Sequence, residues 1–234
     1  MRERMYPMGW KRGMSLAIAF LVSFVFLGVF AFHSAPASAA EAKTGVGLSE
    51  HAVEAYQGNW QYRYGYYGQY VGGVRCSDCS GLIKSYLWWR GDNCNPQPGL
   101  VAVAGSSRSM LASAKTSGTI NLSDSSTLPR IHGLILYGPG HVGVYIGDNQ
   151  EMDNRCTGEN MKCGKVIGGK YHWTQWFKLP QISYPENGFV TFEGRQYYYE
   201  NGQYLVDTSR TIDGVVYTFD QTGAMVVPSS NSAA

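Results

Sequence analysis

Residues 131–154 read IHGLILYGPGHVGVYIGDNQEMDN, and this stretch decides the architecture. Three runs, IHGLILY, HVGVYIG and QEMDNR, are separated by a Gly/Pro turn (GPG) and a polar turn (GDN). Short apolar or alternating runs bounded by turn residues predict strands, and two tight turns in succession predict an antiparallel meander. Upstream, SDCSGLIKSYLWWR spaces Leu82, Ile83, Tyr86 and Leu87 along one helical face, with Gly91 as its stop. Helical segments first and antiparallel strands after them make an α+β order.

Further out, residues 41–50 (EAKTGVGLSE) are polar and small and predict a short linker, after which HAVEAYQG from His51 reads as helix. WQYRYGYYGQYVGGVR reads as loop or short extended structure. A Ser-rich middle, residues 105–130, predicts mostly surface with one short helix around Met110 to Lys115. KVIGGKYHWTQWFKLPQISY predicts one or two more strands, which close a main domain spanning 51–184. Beyond Pro185 the composition changes: Gly194, Tyr197, Tyr199 and Gly202 are echoed by Gly214, Tyr217, Phe219 and Gly223. A period of about twenty residues allows each unit only a hairpin, which must stack on a neighbour to bury its aromatic face. Residues 185–228 therefore predict two β-hairpin repeats, with the alternative of an ordinary hairpin pair belonging to the main domain, and 229–234 a frayed tail.

The chain has 234 residues, enough for one ordinary domain and a smaller unit. Charged side chains make up 15 % and apolar ones 44 %, which excludes disorder throughout. The net charge of +2 misleads, because Arg2, Arg4, Lys11 and Arg12 against Glu3 place +3 in the first forty residues and leave the rest near −1. No polybasic footprint for nucleic acid survives that division. Behind the basic tip runs MSLAIAFLVSFVFLGVFAF (Met14 to Phe32), then HSAPASAA with small residues at A-x-A positions. Residues 1–40 therefore read as an export signal cleaved near Ala39 or Ala40, or as an uncleaved membrane anchor, since the apolar run reaches about 28 Å as a helix. Either reading takes the remainder out of the cytosol, to a secreted or cell-surface location.

Export favours disulfides, and Cys76, Cys79, Cys94, Cys156 and Cys163 are an odd number. Parity and proximity predict Cys76 with Cys94 and Cys156 with Cys163, leaving Cys79 free. No second pair follows Cys76 and Cys79 at zinc-finger spacing, and the surroundings lack the βαβ pattern of a thioredoxin-like redox pair, so neither a metal nor another cofactor is expected. Cys79 falls after a turn and at the start of a predicted helix, where the helix dipole and free amides favour a thiolate and can hold an oxyanion. Its base must come from elsewhere. Of the histidines, His141 opens the most apolar strand directly after a Gly/Pro turn, where a side chain can face a cleft. Local physics alone leaves Cys79 open between nucleophile and disulfide cysteine.

The strings DCSGLI and, about sixty residues on, GHVGVYIGDN resemble the NlpC-type papain-like endopeptidases that cut peptidoglycan stem peptides. The resemblance covers residues 50 to 184 and implies a papain-like fold, with a nucleophile-bearing helix packed on an antiparallel sheet. It implies Cys79 as nucleophile, His141 as general base and, twelve residues beyond, Asp153 as the orienting group. A simple hairpin count leaves a choice here: a two-residue turn puts Asn154 on the face of His141, a three-residue turn Asp153. The resemblance further implies substrate contacts from Tyr62, Asp78 and Ser80, although a packed aromatic and a helix N-cap explain Tyr62 and Asp78 equally well. IHGLILY puts His132 and Gly133 where the family carries Gly-Asp.

The C-terminal units are similar to choline-binding and glucan-binding repeats, which implies Tyr197, Tyr199, Tyr217 and Phe219 as wall-binding aromatics for glycan or teichoic acid. The Gly-Trp pairs of such repeats are absent, since no tryptophan follows Trp176. The expected substrate is a stem peptide, cut between γ-D-glutamate and the diamino acid. The alternatives are a CHAP-like N-acetylmuramoyl-L-alanine amidase and a catalytically inactive wall-binding protein.

Overall fold

The structure, a computed structural model, describes residues 42–91 and 94–226. The export segment read over 1–40 and the tail read over 229–234 lie outside the described residues.

The first element is a helix, α1 (Gly45–Gln57), capped by Thr44, whose hydroxyl accepts from the Gly47 amide at 3.0 Å. Leu48, Ala52 and Ala55 recur at helical spacing and are fully buried, with Ser49 beside them. Residues 45–50 are thus the first turns of a core helix, which corrects the linker expected over 41–50. The apolar stripe there is narrow enough to read as polar when its N-cap is overlooked.

The glycine and tyrosine stretch folds as three short strands, β1 (Gln61–Tyr62), β2 (Tyr67–Val71) and β3 (Val74–Ser77), in the order β1-β3-β2. They lead into α2 (Cys79–Trp88), which buries Leu82, Ile83 and Leu87. Gly81 is required in its first turn, because a Cβ there would lie 1.9 Å from the carbonyl oxygen of Tyr66. The Ser-rich middle contributes α3 (Ser107–Ala112), closed by a Ser106/Ser109 capping box, and β4 (Thr116–Thr119).

The meander forms as read, with β5 (Ile135–Gly138), β6 (His141–Gly147) and β7 (Gln150–Asn154), followed by β8 (Met161–Lys165) and β9 (Gln175–Lys178). These and β4 make one antiparallel six-stranded sheet in the order β4-β9-β5-β6-β7-β8. β6 is buried along its whole length, and both α1 and α2 pack against it. Few helices beside extensive antiparallel sheet make the molecule α+β.

No disulfide joins Cys76 to Cys94 or Cys156 to Cys163, which corrects the expected pairing. Cys76 is buried on β3, and Cys94 accepts from the Arg90 guanidinium at 3.0 Å. The turn after β7 closes instead through backbone bonds, from the Arg155 amide to Asn160 O at 3.0 Å and from the Asn160 amide to Cys156 O at 3.0 Å. Cys163 sits in register on β8 opposite Met152, where β pairing rather than a crosslink fixes it.

The C-terminal repeats are two three-stranded units, β10 (Gly188–Phe192), β11 (Arg195–Glu200) and β12 (Gln203–Tyr204), then β13 (Thr208–Ile212), β14 (Val215–Phe219) and β15 (Met225–Val226). Their hairpins turn at Glu193-Gly194 and Asp213-Gly214, all four residues at positive φ, as tight hairpin turns demand. The first unit is joined to the main body through one core. Tyr199 and Tyr204 are essentially fully buried, and Tyr199 Oη accepts from the His132 amide at 3.1 Å and meets its Nδ1 at 2.8 Å. Tyr204 stacks on the same imidazole at 4.9 Å and accepts from the Asp148 amide at 3.0 Å. The boundary read at 184/185 marks a change of composition, and the hydrophobic core runs across it.

Candidate active site

The β3–α2 junction presents Cys79 as the first residue of a helix. Its N-cap, Asp78, has both carboxylate oxygens engaged: Oδ1 accepts from the Gly81 amide at 2.6 Å and the Ser80 hydroxyl at 2.9 Å, Oδ2 from the Gly65 amide at 2.8 Å. This ties the helix start to the turn between β1 and β2. Ser80 is buried and also reaches Gly105 O at 3.4 Å. Asp78 and Ser80 therefore build the frame around Cys79, as the N-cap reading of Asp78 expects. An N-cap carboxylate is consumed by the amides it satisfies.

His141 opens β6, and its Nε2 meets Asp153 Oδ2 at 2.5 Å on the neighbouring strand. The turn between β6 and β7 has two residues, Asp148 and Asn149, both at positive φ. A plain two-residue hairpin would have turned Asn154 toward His141. A bulge between Tyr145 and Gly147 supplies the extra residue, so that Tyr145 pairs with Glu151 while Gly147 pairs with Gln150. The shift of one residue exchanges the faces of β7 and brings Asp153 to the histidine. Asn154 points the other way, where its amide donates to Ser77 O and Ser77 Oγ at 2.9 Å and so holds β3 immediately before Cys79.

Cys79 acts on the same imidazole. With Nε2 engaged by Asp153, Nδ1 is the nitrogen left to face the sulfur. Burial, the largest single influence, pulls His141 down, but Asp153 and Cys79 together outweigh it and raise the imidazole to about 9. Trp173 stacks on the ring at 5.6 Å and Tyr171 leans on it at 4.9 Å. Gly143 leaves room for this stack, since a Cβ there would lie 2.7 Å from the Trp173 ring.

Tyr62 lies beside the same center. Burial first, then the proximity of Cys79 and Asp78, push its phenol up. Together with Arg63, Tyr64, Thr157 and Asn160 it lines a cavity of about 560 Å³. Neither Cys79 nor His141 is part of its wall.

Four residues around the center have no counterpart in the sequence reading: Glu151, Arg155, Tyr171 and Trp173. Period-two alternation along β7 puts 151, 153 and 155 on one face, a signal available once Asp153 is chosen. Nothing local marks Tyr171 and Trp173, which reach the histidine from the long segment between β8 and β9. Among the described residues no cluster of three or more His, Cys, Asp or Glu side chains is placed to hold a metal ion.

The aromatics expected to bind the wall divide by strand alternation. Tyr197, Tyr199 and Phe219 are buried, which removes them from any ligand surface, while Tyr217 is half-buried. On the outer side Phe189, Tyr198 and Tyr217 form a row, with Phe189 at 5.0 Å from each of the other two rings.

No sequence-family profile and no curated protein matches this chain. Among solved structures, it is similar to the P60 domain of an antigen of M. avium subspecies paratuberculosis, at 20% identity over 60% of this chain and 98% of that one, with a TM-score of 0.37. It is also similar to the peptidoglycan hydrolase RipB of Mycobacterium tuberculosis, at 18% identity over 60% of this chain and 67% of that one, TM-score 0.35. A third likeness is to the pneumococcal cell wall endolysin of phage Cp-1 complexed with choline, at 26% identity over 22% of this chain, TM-score 0.20. The chain spans only 16% of that endolysin's length. At these scores none of the three bears on what the cleft does, and its own side chains decide that.

Proposed function

We propose that the protein is an exported cysteine endopeptidase that hydrolyses peptidoglycan stem peptides between γ-D-glutamate and the following diamino acid. One observation carries the reading: a cysteine at a helix N-terminus acting on a histidine whose Nε2 is bound to a buried carboxylate. This is the arrangement a thiol nucleophile needs, with base and orienting group in line. The choice of substrate rests on the DCSGLI and GHVGVYIGDN strings and their resemblance to NlpC-type enzymes.

In this reading the Cys79 proton rests on His141, and the thiolate attacks the γ-carbonyl of glutamate. The Cys79 and Ser80 amides, which lie ahead of the intrahelical ladder and are not the one Asp78 accepts from, serve the developing oxyanion. His141 returns its proton to the leaving amine of the diamino acid. Water, deprotonated by His141, then attacks the thioester, and collapse releases the acid and restores the thiol. Asp153 holds the ring throughout and balances the imidazolium charge. The cavity beside Tyr62 supplies room for the peptide arms.

Digestion of purified muropeptides by wild type and Cys79→Ala tests the reading. A new free amine on the diamino acid, formed only by wild type, is the expected result. Release of intact stem peptide from the glycan would replace it with the amidase reading. Identical digests from the two proteins would leave a wall-binding protein whose contacts come from the outer row Phe189, Tyr198 and Tyr217.

A further inference from the structure

Asp153 is fully buried, and His141 uses only one side of it. The remainder is taken by Arg155, two residues on, just past the end of β7. Its Nε donates to Oδ2 at 3.1 Å and its Nη2 to Oδ1 at 2.8 Å, a two-pronged grip on both carboxylate oxygens. The same Nη2 lies 3.2 Å from Oε1 of Glu151, which is buried on the other flank of Asp153, and Nη1 lies 3.9 Å from Glu159. The guanidinium also lies 5.7 Å from the Tyr171 ring, which leans on His141. Arg155 thus touches the histidine–carboxylate pair from both sides without touching the reacting sulfur.

We propose that Arg155 is a positioning residue of the catalytic center, whose fork fixes the plane of the Asp153 carboxylate and thereby the aim of His141 at Cys79. The inference rests on the peptidase reading for its functional meaning and on the geometry alone for its physical content. The torsion that orients a carboxylate is broad and two-fold, so a single hydrogen bond to a histidine leaves the plane free to swing. Two parallel N–H bonds from a rigid planar group remove that freedom. The guanidinium also gives the buried carboxylate a permanent counter-charge, so the pair does not depend on His141 being protonated to satisfy Asp153. Glu151 completes the cluster. Burial first, then the neighbouring Asp153 charge, push its carboxyl upward, against the pull of Arg155 and His141.

A lysine at 155 keeps the positive charge but cannot make the fork. The test therefore compares full-length wild type, Arg155→Lys and Arg155→Met. It reads muropeptide turnover and, separately, the pH profile of iodoacetamide alkylation at Cys79, followed on the Cys79 peptide by mass spectrometry. Expected in Arg155→Lys is a fall in kcat of about tenfold or more, with KM changed by less than about twofold. The Cys79 alkylation midpoint is expected to move by about half a pH unit or more. Arg155→Met shows larger changes in the same quantities if it folds, and Arg155→Lys, checked by thermal melting, carries the test if it does not. A folded Arg155→Lys with an unchanged alkylation profile and unchanged kcat, whatever its melting temperature, overturns the proposal. The alkylation arm needs no substrate. A shifted profile in a protein that cleaves no muropeptide sinks the peptidase reading and leaves the positioning role standing, and cleavage with an unshifted profile does the reverse.

Discussion

His132 and His141 lie on either side of β5, both buried and both packed against aromatic rings, yet they carry opposite charge states at neutral pH. His132 is enclosed by Phe192, Tyr197 and Tyr204, with Tyr199 Oη on its Nδ1, and burial drives it down to about 3. His141 lies against Tyr171 and Trp173 in a similarly apolar setting, and burial pulls it the same way. Only the partners differ. A phenol is neutral and cannot stabilise an imidazolium, whereas the Asp153 carboxylate can, and with Cys79 it carries His141 to about 9. One site is a joint between two parts of the molecule, and the other holds a charged imidazole beside Cys79.

Asp153→Asn makes His141 resemble His132. The expected loss in kcat is about 10³ to 10⁴-fold. The His141 ring signal, followed by NMR, should titrate below its wild-type midpoint, because Cys79 alone is left to oppose burial. A high midpoint retained in Asp153→Asn would break the comparison.

The joint is tested by length. Ending the chain after Tyr184 strips Tyr197, Tyr199 and Tyr204 from His132 and should cost about 3 kcal/mol or more, the scale of losing buried aromatic side chains. Ending it after Val206 keeps that box and should cost about 1 kcal/mol. Equal denaturant midpoints for the two truncations would show that the first repeat is a mere attachment.

The two histidines also predict opposite pH limbs. His132, and His51 with it, is depressed to about 3, so the unfolded chain takes up protons that the folded one refuses. The stability they contribute is complete above about 6.5 and is lost as pH falls toward about 3. His141 is raised, so its contribution is complete below about 6.5 and is lost as pH rises through about 9. His132→Phe should flatten the acid limb of a stability profile and leave the alkaline limb alone. The smallest effect is expected from Tyr199→Phe, about 1 kcal/mol in urea unfolding for the lost hydrogen bonds to the His132 ring and amide.

Much of this contrast is invisible in the sequence, and the reason lies in distance along the chain. The row at His141 and the row at His132 look alike in sequence, each a histidine beside an apolar strand. Asp153 and Tyr199, which decide their chemistry, come from other strands. The linker expected over 41–50 failed for a related reason: Thr44 and Leu48 are one cap and one core residue, too few to outvote small polar neighbours until α2 and β6 supply something to pack against. Of the expected wall-binding aromatics Tyr197, Tyr199 and Phe219 face inward, since strand alternation separates Tyr197 and Tyr199 from Tyr198 and only the docked main body says which face is inside.

What the sequence determined by itself is what short range can encode: the meander at 131–154 from its turns, the start of α2 from Asp78 and the apolar spacing after it, and the two hairpins from Glu193-Gly194 and Asp213-Gly214. Each depends on residues within a turn or two of one another. Tertiary structure decided the rest. The bulge between Tyr145 and Gly147 selects Asp153 over Asn154, and the Arg155 fork closes on a carboxylate that the bulge has already turned inward. The His132 box exists only once the first repeat has docked. Register, burial and charge pairing are properties of strands meeting, and no stretch of chain holds both partners.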